Sequence, residues 1–228
     1  MLSCKELRAA GRQALSDNWG TAAAIMLVYM LICGVLGIPS QAADFLKLQP
    51  GVEPSLLTLL SSTTLVLSII FLPMQWGITT MFLDLHRGGT ISFDGLFEGF
   101  TGGRYTRILR TYLLMYIFIL LWMLLLIVPG ILKAFSYALA PFILRDEPTL
   151  GAREVLAKSS AMMKGRRWHL FCLYLSFIGW GLLAILTCGI GVLWLTPYMQ
   201  SAFAAFYEDA RADFEAQQAA EAPQQATL

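Results

Sequence analysis

Long apolar runs alternate with short polar segments along this chain. Each run is close to the roughly 17–25 residues that cross a bilayer as a helix, although the fourth is shorter. This pattern predicts an all-α protein, a polytopic helix bundle whose outer surface is surrounded by lipid. The six runs cover residues 21–38, 56–83, 112–128, 131–144, 168–186 and 190–206.

A Pro-Gly pair interrupts the apolar stretch from Tyr112 to Leu144. As one helix this stretch would be about 50 Å long, against a hydrocarbon core of roughly 30 Å, so it has to fold back. Val-Pro-Gly-Ile suits a type II turn, because Pro129 presets φ at the second position and Gly130 accepts a positive φ at the third. We therefore predict a helical hairpin with Pro129 and Gly130 at its tip.

A second interruption lies between residues 168 and 206, where the apolar stretch is again too long for one crossing. Gly189 and Gly191 stand at the expected turn, and they predict another hairpin. Pro73 and Pro197 fall inside the second arms of the first and last predicted hairpins. Because proline removes a helical hydrogen bond, both residues predict kinks.

Lysine and arginine are confined to alternate connecting segments. The N-terminal segment and the segments after the second, fourth and sixth runs hold every Lys and Arg except Lys47 and Lys133. Such residues collect on the cytoplasmic side of a membrane. The distribution predicts about six transmembrane helices as three hairpins, with both termini in the cytoplasm and the Pro-Gly tip outside.

Each predicted hairpin follows a segment with the pattern of an amphipathic helix, of which residues 92–100 give the clearest apolar stripe. A threefold repeat of amphipathic helix plus hairpin follows from this order. The chain then divides into a cytoplasmic amphipathic helix at 1–19, one transmembrane domain at 20–211 and an acidic tail at 212–228. We predict that the last helix ends near Phe214 and that the remaining tail is disordered.

The fourth apolar run is short and rich in small residues. Gly130, Ala134 and Ala138 recur at four-residue spacing, which is typical of close helix contact where lipid gives no hydrophobic drive for association. These residues predict a packing face inside the bundle.

Lys133 has two interpretations. It lies one turn from the outer end of its helix, from where its ammonium group can reach the lipid headgroups. Alternatively, Lys133 and Tyr137, four residues apart on one helical face, line a polar path between helices. The complete candidate path comprises Gln75, Thr79, Lys133, Tyr137 and Gln200.

Composition and motif content indicate which functions we do not expect of this chain. It is 57% hydrophobic and 14% charged, and it contains no HExxH motif, no GxSxG motif and no paired intramembrane aspartates, so we predict no enzymatic activity. Its two histidines lack ligand neighbours and its cysteines, Cys188 included, show no CxxC pair, so we predict apolar filler and neither metal nor cofactor. A net charge of +1 argues against nucleic acid as a partner.

Several segments of the chain have counterparts in a known family. They read LDLHRGG, LFEGF, IVPGILKAFSYALAPFIL, MMKGRRWHLFCLYLSFIGWGLLAILTCGIGVLWLTPY and AAFYED. Together they resemble the bacterial membrane family catalogued as domain of unknown function 975, over nearly the whole chain up to the acidic tail. The resemblance implies a protein of the bacterial cytoplasmic membrane, more distantly similar to the membrane domain attached to some glycerophosphodiester phosphodiesterases. It supplies no catalytic residue.

Three functions remain open at this stage. The first is a non-catalytic scaffold or accessory subunit that binds a lipid, such as an anionic one, or a protein partner, a homo-oligomer included. The second is a transporter or exporter of a small or amphipathic solute, for which the polar path and the helix breaks argue. The third, lipid handling, is implied only by the distant similarity.

Overall fold

The computed structural model describes residues 2–49, 51–187 and 189–225, without the side chains of residues 221–225. These residues form helices and turns and no strand, so the predicted all-α fold is confirmed. Cys188 and the end of the acidic tail, residues 226–228, lie outside the described residues, and the predictions made for them stay predictions.

The first third of the chain contains a short amphipathic helix and the longest hairpin. The hydroxyl of Ser3 accepts a hydrogen bond from the Glu6 amide while the Glu6 carboxylate accepts one from the Ser3 amide, which forms a capping box at the start of α1. Phe71 separates α3 from α4, and Pro73 lies in the first turn of α4, where a missing N–H costs no helical hydrogen bond. The helices are α1 (Cys4–Ala14), α2 (Trp19–Leu46), α3 (Pro54–Ile70) and α4 (Leu72–His86).

The middle third repeats this order. A short helix, α5, continues into a 3-10 turn at Glu98–Phe100 before a long helix and a second arm that is broken at residues 137–139. The helices are α5 (Phe93–Phe97), α6 (Tyr105–Leu125), α7 (Ile127–Ser136) and α8 (Ala140–Asp146).

The last third has the same order again. Here the first arm is broken at Ser176 and Phe177, and the second arm is one continuous helix that contains Pro197. It runs on to Gln225, so the predicted end near Phe214 is wrong; glutamate, alanine and glutamine beyond that residue are good helix formers. The helices are α9 (Ala152–Met162), α10 (Arg167–Leu175), α11 (Ile178–Leu186) and α12 (Val192–Gln225).

We name the three hairpins by their arms. Hairpin A pairs α2 with α3–α4, hairpin B pairs α6 with α7–α8, and hairpin C pairs α10–α11 with α12. Within the described residues, five helices are long and apolar enough to cross a membrane by length and composition, and α12 is not one of them because charged residues follow its apolar start. The five cover Trp19–Leu46, Pro54–His86, Tyr105–Leu125, Ile127–Asp146 and Arg167–Leu186.

The turn of hairpin B lies at Leu126, which corrects the predicted type II turn. Leu126 has extended backbone (φ −160°, ψ 138°), whereas Pro129 and Gly130 belong to the first turn of α7. That position suits proline, and the Gly130 amide donates to the Leu126 carbonyl at 3.2 Å. Glycine is required because a Cβ at Gly130 would lie 2.8 Å from the Cα of Met123 on α6.

The turn of hairpin C lies where the glycines predict it. Gly189 has a φ of +85°, and its amide donates to the Ala184 carbonyl at 3.1 Å. A Cβ at Gly191 would lie 2.9 Å from the Cα of Ala184, so this glycine lets the two arms approach each other. The turn is therefore fixed by backbone conformation at one glycine and by close packing at the other.

The amphipathic helices pack on the hairpins in a cyclic order. The helix α5 contacts α4 of hairpin A, α9 contacts α6 and α8 of hairpin B, and α1 contacts α12 of hairpin C. The last contact is close, since a Cβ at Gly11 would lie 2.8 Å from the Ala202 amide nitrogen, and the Ser201 hydroxyl donates to the Gly11 carbonyl at 3.0 Å. Apolar residues of all three helices are thus buried inside the protein, namely Leu7, Leu96 and Val155, although Phe93 and Phe97 of α5 stay exposed.

Candidate functional site

A cavity of about 290 Å³ lies between the second arms of the three hairpins, with α6 and α10 completing its wall. Its lining is mainly aromatic and aliphatic, and none of the described residues that line it is charged. Seven uncharged polar or phenolic residues line it: Gln75, Thr79, Tyr112, Tyr116, Tyr137, Tyr174 and Gln200. We call this the central cavity.

Four of the five residues of the predicted polar path meet in the central cavity, namely Gln75, Thr79, Tyr137 and Gln200. The structure does not bring Lys133 there. Its ammonium nitrogen lies over the ring of Trp122, 5.1 Å from the ring centroid, and 5.8 Å from the ring centroid of Tyr137. A cation over aromatic faces is stabilised by the ring electrons and needs no carboxylate partner.

The polar groups of the cavity are only partly satisfied by one another. The Tyr116 hydroxyl donates to the Gln75 side-chain oxygen over 3.5 Å, a long contact, and the Thr79 hydroxyl donates to the Gln75 carbonyl at 3.1 Å. The side-chain amide of Gln200 makes no hydrogen bond with another described residue. Amide groups are therefore available to a molecule that enters the cavity.

The predicted small-residue face has two roles, which corrects its interpretation as one packing surface. Gly130 does form a close helix contact, with Met123. Ala134 and Ala138 instead line the central cavity, where their small side chains leave space. Four-residue spacing places all three on one side of a helix, but it does not say whether a neighbouring helix or a void faces them.

A second, larger space adjoins the cavity. This side groove, of about 570 Å³, lies between hairpin A and α6, and its walls are mostly apolar. Gln75 and Tyr116 line both the groove and the central cavity, so they stand at the junction of the two spaces. Among the residues that the structure describes, no charged one lines the groove.

Ion pairs join the ends of the three second arms. Asp146 on α8 accepts two hydrogen bonds from Arg87, at 2.7 and 2.8 Å, one from Arg211 at 2.8 Å and one from the Tyr207 hydroxyl at 2.7 Å. Arg87 also pairs with Glu208 at 2.7 Å. Hydrogen bonding to Asp146 raises the pKa of Arg87 above its ordinary value, so the guanidinium stays charged. We call these five residues the Asp146 cluster.

A neighbouring set of ion pairs links α8 to hairpin A and to the 3-10 turn after α5. Arg145 donates to Asp84 at 2.7 Å and also pairs with Glu98, which in turn pairs with Arg104. Asp84, Asp146 and Glu208 are equally spaced along the chain, one on each second arm. Their regular spacing makes these three acids recognisable in the sequence, whereas the choice of their arginine partners depends on tertiary contacts.

Neither space has the features of a metal or cofactor site. Among the residues that the structure describes, no group of three or more His, Cys, Asp and Glu side chains could hold a metal ion. Phenols, amides and one hydroxyl can hydrogen-bond a ligand, but the lining has no carboxylate, imidazole or amine to take up a proton near neutral pH.

The comparisons with known proteins give one match. Residues 123–213, which include α7 to α11 and the buried part of α12, match the model of a family described as Protein of unknown function (DUF975). No curated protein and no solved structure matches the chain, so the distant similarity to phosphodiesterase membrane domains stays a prediction. The resemblance to the domain of unknown function 975 is confirmed, over residues 123–213.

Proposed function

We propose that this chain is a non-catalytic, multi-pass protein of the cytoplasmic membrane that binds an uncharged lipid in the central cavity. The observation that carries the proposal is the junction at Gln75 and Tyr116, where a cavity with polar side chains meets an apolar groove. A molecule with a hydroxyl or ester group and an acyl chain matches both spaces. Binding sites for such ligands are mostly apolar, with a few polar groups that fix orientation.

The packing of the amphipathic helices supports a lipid over a protein partner as the ligand. A scaffold that used α1 and α9 to bind a partner would leave their apolar residues accessible, but Leu7 of α1 and Val155 of α9 are fully buried, and these helices pack on α12 and α6. On α5, Leu96 is buried against the protein while Phe93 and Phe97 are exposed. The absence of charge from the lining of both spaces argues for an uncharged headgroup, because a buried phosphate would need a cation beside it.

Native mass spectrometry with diacylglycerol as the probe tests the proposal. Gln75→Leu and Gln200→Leu should each weaken binding about threefold to tenfold, as expected for one lost hydrogen bond of roughly 1 kcal/mol. Ala138→Leu should abolish binding, because its side chain fills the cavity, and should change stability by less than about 1 kcal/mol. The matched control is Gln13→Leu on the exposed face of α1. Equal diacylglycerol retention by all four variants and the unaltered protein would refute the proposal.

An exporter of amphipathic solutes is the second candidate, favoured by the four path residues that meet in one cavity. A transporter has to open this cavity alternately, which here means separating the second arms at the Asp146 cluster. Spin labels at Thr90→Cys and Thr149→Cys, in a variant without native cysteines, report the distance between the ends of α4 and α8. A binding protein keeps one distance with and without diacylglycerol, whereas a transporter acquires a second, longer one.

A further inference from the structure

Among the described residues, the tips of hairpins B and C expose mainly apolar side chains, with Thr187 at the tip of hairpin C as the exposed polar one. At the tip of hairpin B, Leu124 is 83% exposed and Ile127 71% exposed, and residues 123–132 include no polar side chain. At the tip of hairpin C, Leu186 is 80% exposed. A turn in water normally carries Asn, Asp, Ser or Lys, so these tips are suited to hydrocarbon.

The tip of hairpin A differs because charged side chains stand beside its exposed apolar residues Phe45 and Leu48. Asp44, Lys47, Gln49 and Glu53 surround its turn, and Lys47 pairs with Asp44 at 2.7 Å on an exposed surface. Such a tip is soluble in water and would be costly inside a bilayer. One protein therefore carries one water-compatible tip and two lipid-compatible ones.

Several hydrogen-bonding groups at the two apolar tips have partners within their own hairpin. Leu126 is the one residue between α6 and α7, and its amide donates to the Trp122 carbonyl at 3.0 Å. At hairpin C, the Thr187 hydroxyl donates to the Ala184 carbonyl at 2.8 Å and accepts from the Gly191 amide at 2.9 Å. Unpaired backbone groups cost several kcal/mol each in lipid, so these internal hydrogen bonds lower the cost of immersing the two turns.

Charged residues lie too close to these tips for a full crossing. Arg153 and Glu154, at the exposed start of α9, line a surface recess together with Ile117 of α6. From Ile117 to Leu126 a helix rises about 14 Å at about 1.5 Å per residue. If the tip of hairpin B reached the opposite surface of a hydrocarbon core of roughly 30 Å, Arg153 and Glu154 would lie near its centre.

Hairpin C has the same geometry and hairpin A does not. The exposed Arg12 lies over the ring of Tyr198, 5.8 Å from its centroid, and from Tyr198 to Gly191 a helix rises only about 11 Å. In hairpin A, α2 alone has 28 residues, which corresponds to about 42 Å. Only this hairpin is long enough to cross from the level of the charged helices.

We propose that hairpins B and C are re-entrant: their tips contact acyl chain ends near the bilayer centre and return, and hairpin A alone crosses the membrane. The partner of the exposed tip surface is thus the hydrocarbon of a single leaflet. This inference is independent of the proposed ligand. It keeps the termini on one side, as the charge distribution predicts, and replaces six crossings with two.

Single cysteines in a variant without native cysteines test the proposal, with Val128→Cys and Ile190→Cys at the two tips and Gln49→Cys as the control in hairpin A. A membrane-impermeant maleimide added outside intact cells should label Gln49→Cys and leave both tip variants unlabelled until detergent is added. All three positions are exposed in the structure, so shielding by protein does not account for a difference.

A second readout gives a positive signal for immersion. A bimane fluorophore at Val128→Cys in phosphatidylcholine vesicles should be quenched more strongly by lipids labelled at the chain end than by lipids labelled at the headgroup, with the reverse order at Gln49→Cys. External labelling of Val128→Cys as strong as that of Gln49→Cys, together with headgroup quenching, would overturn the proposal and restore the full crossing.

Discussion

Asp146→Asn lowers the free energy of unfolding by about 2 to 3 kcal/mol, the largest loss that we expect from a single charge. Asp146 is 9% exposed and receives hydrogen bonds from Arg87, Arg211 and Tyr207, which come from two other elements. Removing one partner of a buried pair typically costs roughly 3 to 5 kcal/mol, and the partial exposure of the arginines reduces this because water can hydrate them.

The neighbouring acid provides the matched control. Glu208 is 30% exposed and accepts one hydrogen bond, from Arg87, so Glu208→Gln should cost less than about 1 kcal/mol. Unfolding in a mixed-micelle denaturant series, followed by tryptophan fluorescence, measures both variants. If the two substitutions had equal effects, Asp146 would not be the junction of the three second arms.

Gly77→Ala destabilises the protein by about 3 kcal/mol, at the upper end of the range for overpacking. A Cβ at Gly77 would lie 2.5 Å from the Gly95 carbonyl oxygen and 2.8 Å from the Leu96 carbonyl oxygen. Both are backbone atoms and cannot rotate away, so α5 has to move off α4. Thermal denaturation in detergent, with intrinsic fluorescence as the signal, measures the loss.

Gly34→Ala in α2 is the control for this substitution. Nothing lies within 4 Å of a Cβ at Gly34, so the alanine meets open space in the middle of a helix. The change should be neutral or stabilise by about 0.5 to 1 kcal/mol, because alanine loses less backbone entropy than glycine on folding. Equal melting temperatures for the Gly77 and Gly34 variants would show that α5 is not held closely against α4.

Hairpin B shows how far the sequence determines the fold. Its existence follows from length and from charge on both flanks, and the structure has it. The position of its turn does not follow, because Pro-Gly is compatible both with a type II turn and with the first turn of a helix. The contact of Gly130 with Met123 decides between them, and such a contact exists only after the two arms have paired.

The candidate site was predictable to a similar extent. Gln75, Tyr137 and Gln200 stand out in the sequence because polar residues are rare within apolar runs. Lys133 stands out for the same reason, but it lies over Trp122, since spacing along one helix does not reveal which neighbour a face meets. The sequence did not indicate that Tyr116 and Tyr174 line the central cavity, because tyrosine is common at membrane interfaces.

The cyclic packing of the amphipathic helices sets an order of events during synthesis. The helices α5 and α9 each follow the hairpin that they contact, so they can dock as soon as they leave the ribosome. The helix α1 is made early, yet its contact on Ser201 is 190 residues away. Until α12 has been synthesised, Leu7 and the rest of the apolar face of α1 lack this partner. The membrane surface can cover that apolar face in the meantime.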